Sequence, residues 1–162
     1  MTSIDKKKLL RPSILDRLID NEPHLHIEAD SGQFQKIKSL RQSVRLDLEN
    51  LLNTRFRIVS PPEEHEHLEQ SLLNYGLPDL ATININSAED KKAFTMNLEK
   101  LLRNFEPRFK SVRVNYRENN DKQNHTLRFR IDAVLYADPS PEHVVFDSIL
   151  EPISRTVSIE ET

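Results

Sequence analysis

The hydrophobic pattern of this chain changes period at Pro107, and that change limits the folds open to it. Before Pro107, the long apolar runs repeat every three or four residues, as on a helix buried along one face. After Phe109 they alternate. Val112, Val114 and Tyr116 are interleaved with Arg113, Asn115 and Arg117; Leu127, Phe129, Ile131, Ala133 and Leu135 are interleaved with Arg128, Arg130 and Asp132. A period of two puts one set of side chains on a core and the other in water. These runs, joined by the polar stretch 119–124, predict a β-hairpin. Val144–Leu150 and Thr156–Ile159 predict two further short strands. Helices first and consecutive strands afterwards indicate an α+β fold, with N-terminal helices packed on a small antiparallel C-terminal sheet.

Two long helices are expected. The first runs over Phe34–Asn53, where Leu40, Val44, Leu48, Leu51 and Leu52 form the apolar stripe and Arg41, Arg45 and Glu49 follow at intervals of four on a neighbouring face. Asn53 is a candidate C-cap. The second begins near Ser87, where Ser-Ala-Glu-Asp resembles a capping box, and buries Phe94, Leu98, Leu101, Leu102 and Phe105 before Pro107 stops it. Between them, Glu63–Asn74 reads as an acidic helical segment. Residues 75–80 read as a tight turn in which Gly76 ends the helix. Near the start, Ser13–Asp20 reads as a short helix. The expected organisation is a flexible segment with a short helix over 1–33 and a single domain over 34–162, a size suited to one core.

Composition removes several chemistries. With no cysteine there is neither a disulfide framework nor a thiolate site. Only Gly32 and Gly76 are glycines, too few for a phosphate-cradling loop, so no nucleotide cofactor is expected. A net charge of −3 gives no global attraction to nucleic acid. The arginines of the hairpin, Arg113, Arg117, Arg128 and Arg130, lack interleaved aromatics and read as solvated charge on a wet face. The pairs His24/His26 and His65/His67 do not match zinc-ligand spacing, and no metal is expected. No signal-peptide core and no membrane-spanning run is present, which points to a cytoplasmic chain that is not inserted in a membrane.

Two polar clusters stand out against this background. One is Asn53-Thr54-Arg55 at the end of the first helix. The other is Glu106-Pro107-Arg108, where the second helix meets the first strand. An arginine beside Glu106 favours the ionised carboxylate, which suits an ion pair better than a general acid. No nucleophile–base motif is present. A protein-binding scaffold is the reading left, because sheet edges offer unpaired backbone groups to a partner strand.

Several segments together resemble one family. They are Pro12–Leu18 (PSILDRL), Ser43–Arg55 (SVRLDLENLLNTR), Ser71–Leu80 (SLLNYGLPDL), Phe105–Phe109 (FEPRF) and the later FRIDAVLY. In this order they are similar to the TssE family, small baseplate subunits of the bacterial type VI secretion system. That family is grouped with tailed-phage baseplate wedge proteins sometimes labelled lysozyme-like. The resemblance implies a structural, non-catalytic protein without a cofactor. It would join TssF and TssG in the wedge, stand near TssK and the VgrG spike hub, and template the TssB–TssC sheath by strand pairing, in a cytoplasmic baseplate docked at the inner membrane. The motifs carried over from the family fall on Glu106, Pro107 and Arg108 and on Asn53, Thr54 and Arg55, as partner-binding residues. Alanine at Glu106 or Arg108 is expected to leave a folded chain that fails to assemble. The family has leucine at Phe109 and often a charge at Leu46. The historical label supplies the alternative, a peptidoglycan hydrolase.

Overall fold

Helix α1 runs Gln33–Asn53 and α2 runs Ala88–Phe105. Neither contains proline or glycine, and each places most of its leucines on one stripe, Leu46 of α1 being the exception. The computed structural model describes residues 33–55, 67–68, 71–78, 87–117, 126–137, 140–151, 154 and 156–162, with Ser13, Leu18, Pro23 and His24. The expected Ser13–Asp20 helix, the 119–124 turn and the two histidine pairs lie wholly or partly outside those residues. So do the segment 1–33, apart from those few positions, and much of Glu63–Asn74. Within that last segment Leu72–Asn74 is a 3-10 helix capped by Ser71.

Both ends of α2 follow from local sequence. The Ser87 side chain accepts a hydrogen bond from the Asp90 amide at 3.0 Å, and the Ser87 amide donates back to the Asp90 carboxylate at 3.3 Å. The expected capping box is therefore formed. At the other end Glu106 is the C-cap, its amide bonded to the Leu102 carbonyl at 2.9 Å. Pro107 follows and disfavours helical backbone at the residue before it.

The chain then enters a four-stranded antiparallel meander: β1 Phe109–Arg117, β2 Leu127–Leu135, β3 Glu142–Glu151 and β4 Thr156–Glu161, in the spatial order β1-β2-β3-β4. A register irregularity between Phe109 and Ser111 lets both Phe109 and Val112 face the core. The last two strands are longer than their apolar residues suggested, because pairing continues into Glu142, Glu151 and Glu161.

Both helices lie on one face of the sheet. Leu40, Val44, Leu48, Leu51 and Leu52 from α1 join Phe94, Leu98 and Leu102 from α2 in one core with the inward residues of all four strands. Phe94 meets Phe129 edge-on, with ring centroids 6.1 Å apart. Helix α1 packs against β4 and α2 against β1, so each helix runs beside one edge of the sheet. Leu77, from the turn after the 3-10 helix, closes the core at the end of α1, its amide donating to the Thr54 carbonyl at 2.8 Å.

Candidate functional site

The turn from α2 into β1 buries a carboxylate at an unfavourable place. Glu106 is 4 % exposed and sits at the C-terminus of α2, where the helix dipole repels negative charge. Arg108 answers it. Its Nε donates to Glu106 Oε1 at 2.6 Å and its Nη2 to Oε2 at 2.5 Å, a fork-on-fork pair. The Arg108 amide also donates to Oε1, at 3.1 Å, so the carboxylate closes the turn through side chain and backbone together. Between them Pro107 remains exposed.

The same guanidinium reaches α1. Nη1 donates to Ser43 Oγ at 2.9 Å and Nη2 to Asp47 Oδ2 at 2.5 Å. Burial opposes the charge on Arg108, but Glu106 and then Asp47 more than offset it, so its pKa lies above the ordinary arginine value. Tyr75 borders the same corner: burial, then the negative charge of Asp47 and Glu106, raises its phenol pKa. Its ring stands edge-on to Phe105 at 5.4 Å. Three sequence motifs thus converge, one from α1, one from the turn at Tyr75 and one from the helix-to-strand corner.

Sequence reasoning singled out Glu106, Pro107 and Arg108 but missed Ser43 and Asp47. Their signal was present: a serine and an aspartate four residues apart, flanking Val44 and Leu48 on the buried stripe. A polar pair so close to the core needs a partner, although nothing in α1 says which. Phe109, where the family has leucine, is buried; Leu46, often charged in the family, is 43 % exposed on α1.

The Asn53-Thr54-Arg55 cluster is a separate site. Asn53 is the last residue of α1; its carboxamide donates to the Glu49 carbonyl at 2.8 Å and also spans to β4. There it donates to the Val157 carbonyl at 2.9 Å and accepts from the Val157 amide at 2.8 Å. Thr54 Oγ1 donates to the Asn50 carbonyl at 2.7 Å, and Arg55 forms a parallel bridge with Leu77. Both clusters are anchored on α1, one at Ser43 and Asp47 and the other at its end.

Helix side chains also line both edges of the sheet. Along β4, Arg45 Nη1 donates to the Ile159 carbonyl at 3.2 Å and to Glu49 at 3.2 Å. Arg41 bonds the carboxylates of Glu161, at 3.0 Å, and Glu142. Along β1, Glu99 accepts from the Val114 amide at 2.9 Å, Arg103 donates to the Val112 carbonyl at 3.4 Å, and Lys91 stands 4.5 Å above the Tyr116 ring.

On the outer face, Asp147 gathers the charge. Arg130 grips it through two bonds of 2.9 Å, Thr162 Oγ1 donates at 2.8 Å and Arg117 lies 3.9 Å away. The Arg130 bonds, then Thr162, hold the Asp147 carboxyl at about 2, below its usual 3.8. Two of the four hairpin arginines are thus committed to a carboxylate of the same sheet, which fits the solvated-face reading. Among the described residues no cluster of three or more acidic or histidine side chains is placed to hold a metal ion, and no helix is long and apolar enough to cross a membrane.

Against known proteins, the family model described as baseplate wedge protein gp25 matches residues 38–140. That span runs from α1 through β2 and contains both polar clusters, while β3 and β4 lie beyond it. No individually curated protein matches the chain significantly.

Proposed function

The chain belongs to the baseplate wedge protein gp25 family, a family of structural proteins of phage-tail-like baseplates, and on that premise we propose that it is the TssE-type subunit of a type VI secretion baseplate. In this role it joins TssF and TssG in the wedge, near TssK and the VgrG hub. It gives the TssB–TssC sheath its first strand to pair with, on the cytoplasmic side of the inner membrane. The observation carrying the proposal is that the family match spans the Glu106–Arg108 corner and α1 to which that corner is tied.

Of the six motif residues, Asn53, Thr54, Arg55 and Pro107 are exposed and Glu106 and Arg108 more buried, and they divide by what their side chains hold. Pro107 and Arg55 are exposed and suit direct contact with a partner. Glu106 and Arg108 face inward and act by holding α1 against the corner, which keeps the exposed residues in place. Asn53 and Thr54 do the same at the end of α1. A non-catalytic reading suits Glu106, whose two oxygens are both occupied by Arg108. A catalytic carboxylate must reach a substrate, and both Glu106 oxygens are instead turned inward onto Arg108.

Co-purification is the test. Tagged wild-type chain, expressed with TssF and TssG from the same genome, is expected to bring both down. The Arg55→Ala and Pro107→Ala variants, checked for intact fold by circular dichroism, should recover less of either subunit and build fewer sheaths in cells lacking the native copy. Normal recovery and normal sheaths from both variants would refute the contact assignment. A wild-type chain that recovers neither subunit would refute the baseplate reading, and release of soluble muropeptides from peptidoglycan would establish the hydrolase instead.

A further inference from the structure

An edge strand leaves alternate backbone groups pointing away from the sheet, and each needs a partner. On β4 those groups belong to Val157, Ile159 and Glu161, and α1 supplies partners for the Val157 amide and carbonyl and for the Ile159 carbonyl. Asn53 is the telling residue. Its planar carboxamide gives an N–H to the Val157 carbonyl and takes the Val157 amide in return. An exchange of both bonds with one residue is what a directly opposed residue makes in an antiparallel ladder. Two residues along, at the ladder's own spacing, Arg45 provides the next donor, to the Ile159 carbonyl. Arg41, Arg45 and Asn53 are spaced by multiples of four on α1 and meet Glu161, Ile159 and Val157 in that order, so the helix face runs antiparallel to β4.

Edge β1 is lined differently. Its amide and carbonyl partners come from two separate residues, Glu99 and Arg103, Lys91 covers its far end, and the irregularity at Phe109 breaks the ladder at its start. Among the described residues, one side chain reproduces the donor and acceptor of a peptide group at β4 and none does so at β1.

We infer that β4 is a gated docking edge: α1 holds it closed through Asn53 and Arg45, and an extended strand of a partner, running antiparallel to β4, displaces those side chains and takes over their hydrogen bonds. The exchange replaces bonds one for one, so no buried backbone group is left unpaired at its end. Asn53 is exposed and Arg45 half-buried, so both can swing into water without opening the core. Until then the guard keeps copies of the chain from pairing edge to edge. The inference rests on the strand-pairing part of the proposed function for the nature of the partner; the guard itself stands on the bonds to Val157 and Ile159.

The experiment compares wild type with Asn53→Ala/Arg45→Ala and with Arg45→Ala alone, each checked for intact fold by circular dichroism. The first readout is amide exchange at Val157, expected to quicken at least about tenfold in the double variant while Leu150, inside the sheet, keeps its protection. The second is binding of a fluorescent peptide with the sequence of β3, residues 142–151, which already pairs antiparallel with β4 on its other side. Because a closed edge lowers apparent affinity by the fraction of time it is open, the double variant should bind at least about tenfold more tightly than wild type. Arg45→Ala should fall between the two. Unchanged exchange at Val157 would overturn the guard, and faster exchange with no gain in peptide affinity would overturn the docking edge. Failure of the wild-type chain to join TssF and TssG would refute the baseplate reading and leave both readouts standing.

Discussion

Arg108 shows how much one side chain can be asked to do. It neutralises a buried carboxylate at a helix C-terminus, closes a turn through its own amide and ties that turn to Ser43 and Asp47, more than sixty residues earlier. Removing one partner of a buried pair leaves the other uncompensated, which costs about 3–5 kcal/mol. Arg108→Ala should therefore lower stability by that amount in urea unfolding, with Arg108→Lys losing less because it keeps the charge but not the fork. A loss under about 1 kcal/mol would show that the corner is held by something else. Since a domain's whole margin is about 5–15 kcal/mol, the alanine variant should stay folded at low temperature with little to spare. An assembly defect in it then has two sources, lost stability and a displaced corner, which is why the exposed motif residues Arg55 and Pro107 are the sharper probes of contact. The pair itself was legible as two opposite charges flanking a proline. Its anchor was not, because adjacency in sequence says nothing about which helix passes over the turn.

At the scale of elements, local chemistry and tertiary demand separate cleanly. The start of α2 was readable to the residue because Ser87 and Asp90 satisfy each other's backbone amides without help. The strands were readable in position because alternation reports which face is buried. Their lengths were less so: Glu142, Glu151 and Glu161 carry no apolar signal and are strand because a neighbour is present to pair with them. Gly76 was expected to end a helix. It follows a single 3-10 turn, with φ of 110°, and brings Leu77 back to pair beside Arg55 and enter the core. That backbone is costly for any residue with a Cβ. Gly76→Ala should reduce stability by about 1–2 kcal/mol, read as a fall in Tm. An unchanged Tm would mean that the turn relaxes to another conformation.

Across the whole molecule, the meander order places the two helices over opposite edges of one sheet, and charge follows that plan. Inward, the core is apolar except for the buried Ser148 of β3. At the edges, Arg41, Arg45, Asn53, Glu99 and Arg103 cover strand backbone or strand side chains. Outward, Arg117, Arg130 and Thr162 draw three segments together on Asp147, on β3. Because folding lowers the Asp147 pKa, its contribution is complete above about 3.8, where the carboxyl is ionised even when unfolded, and is lost as pH falls towards about 2. Acid unfolding should accordingly steepen between about pH 4 and 2, and Arg130→Ala should flatten that part of the stability profile. An identical slope in the variant would place the acid sensitivity elsewhere.

Hydrophobic period, capping residues and the proline at 107 are local quantities, and from them the sequence by itself determined the α+β class, the two long helices, the positions of the four described strands and the two polar clusters. The family resemblance drawn from its motifs agrees with the match over residues 38–140. What only the tertiary structure decided is which distant groups meet: Ser43 and Asp47 with Arg108, Asn53 with Val157, Glu99 with Val114. Each joins a helix side chain to a strand or a strand-forming turn far along the chain. The choice among the many polar candidates is made by the packing of α1 and α2 over the sheet, which sets the distance and angle a hydrogen bond requires.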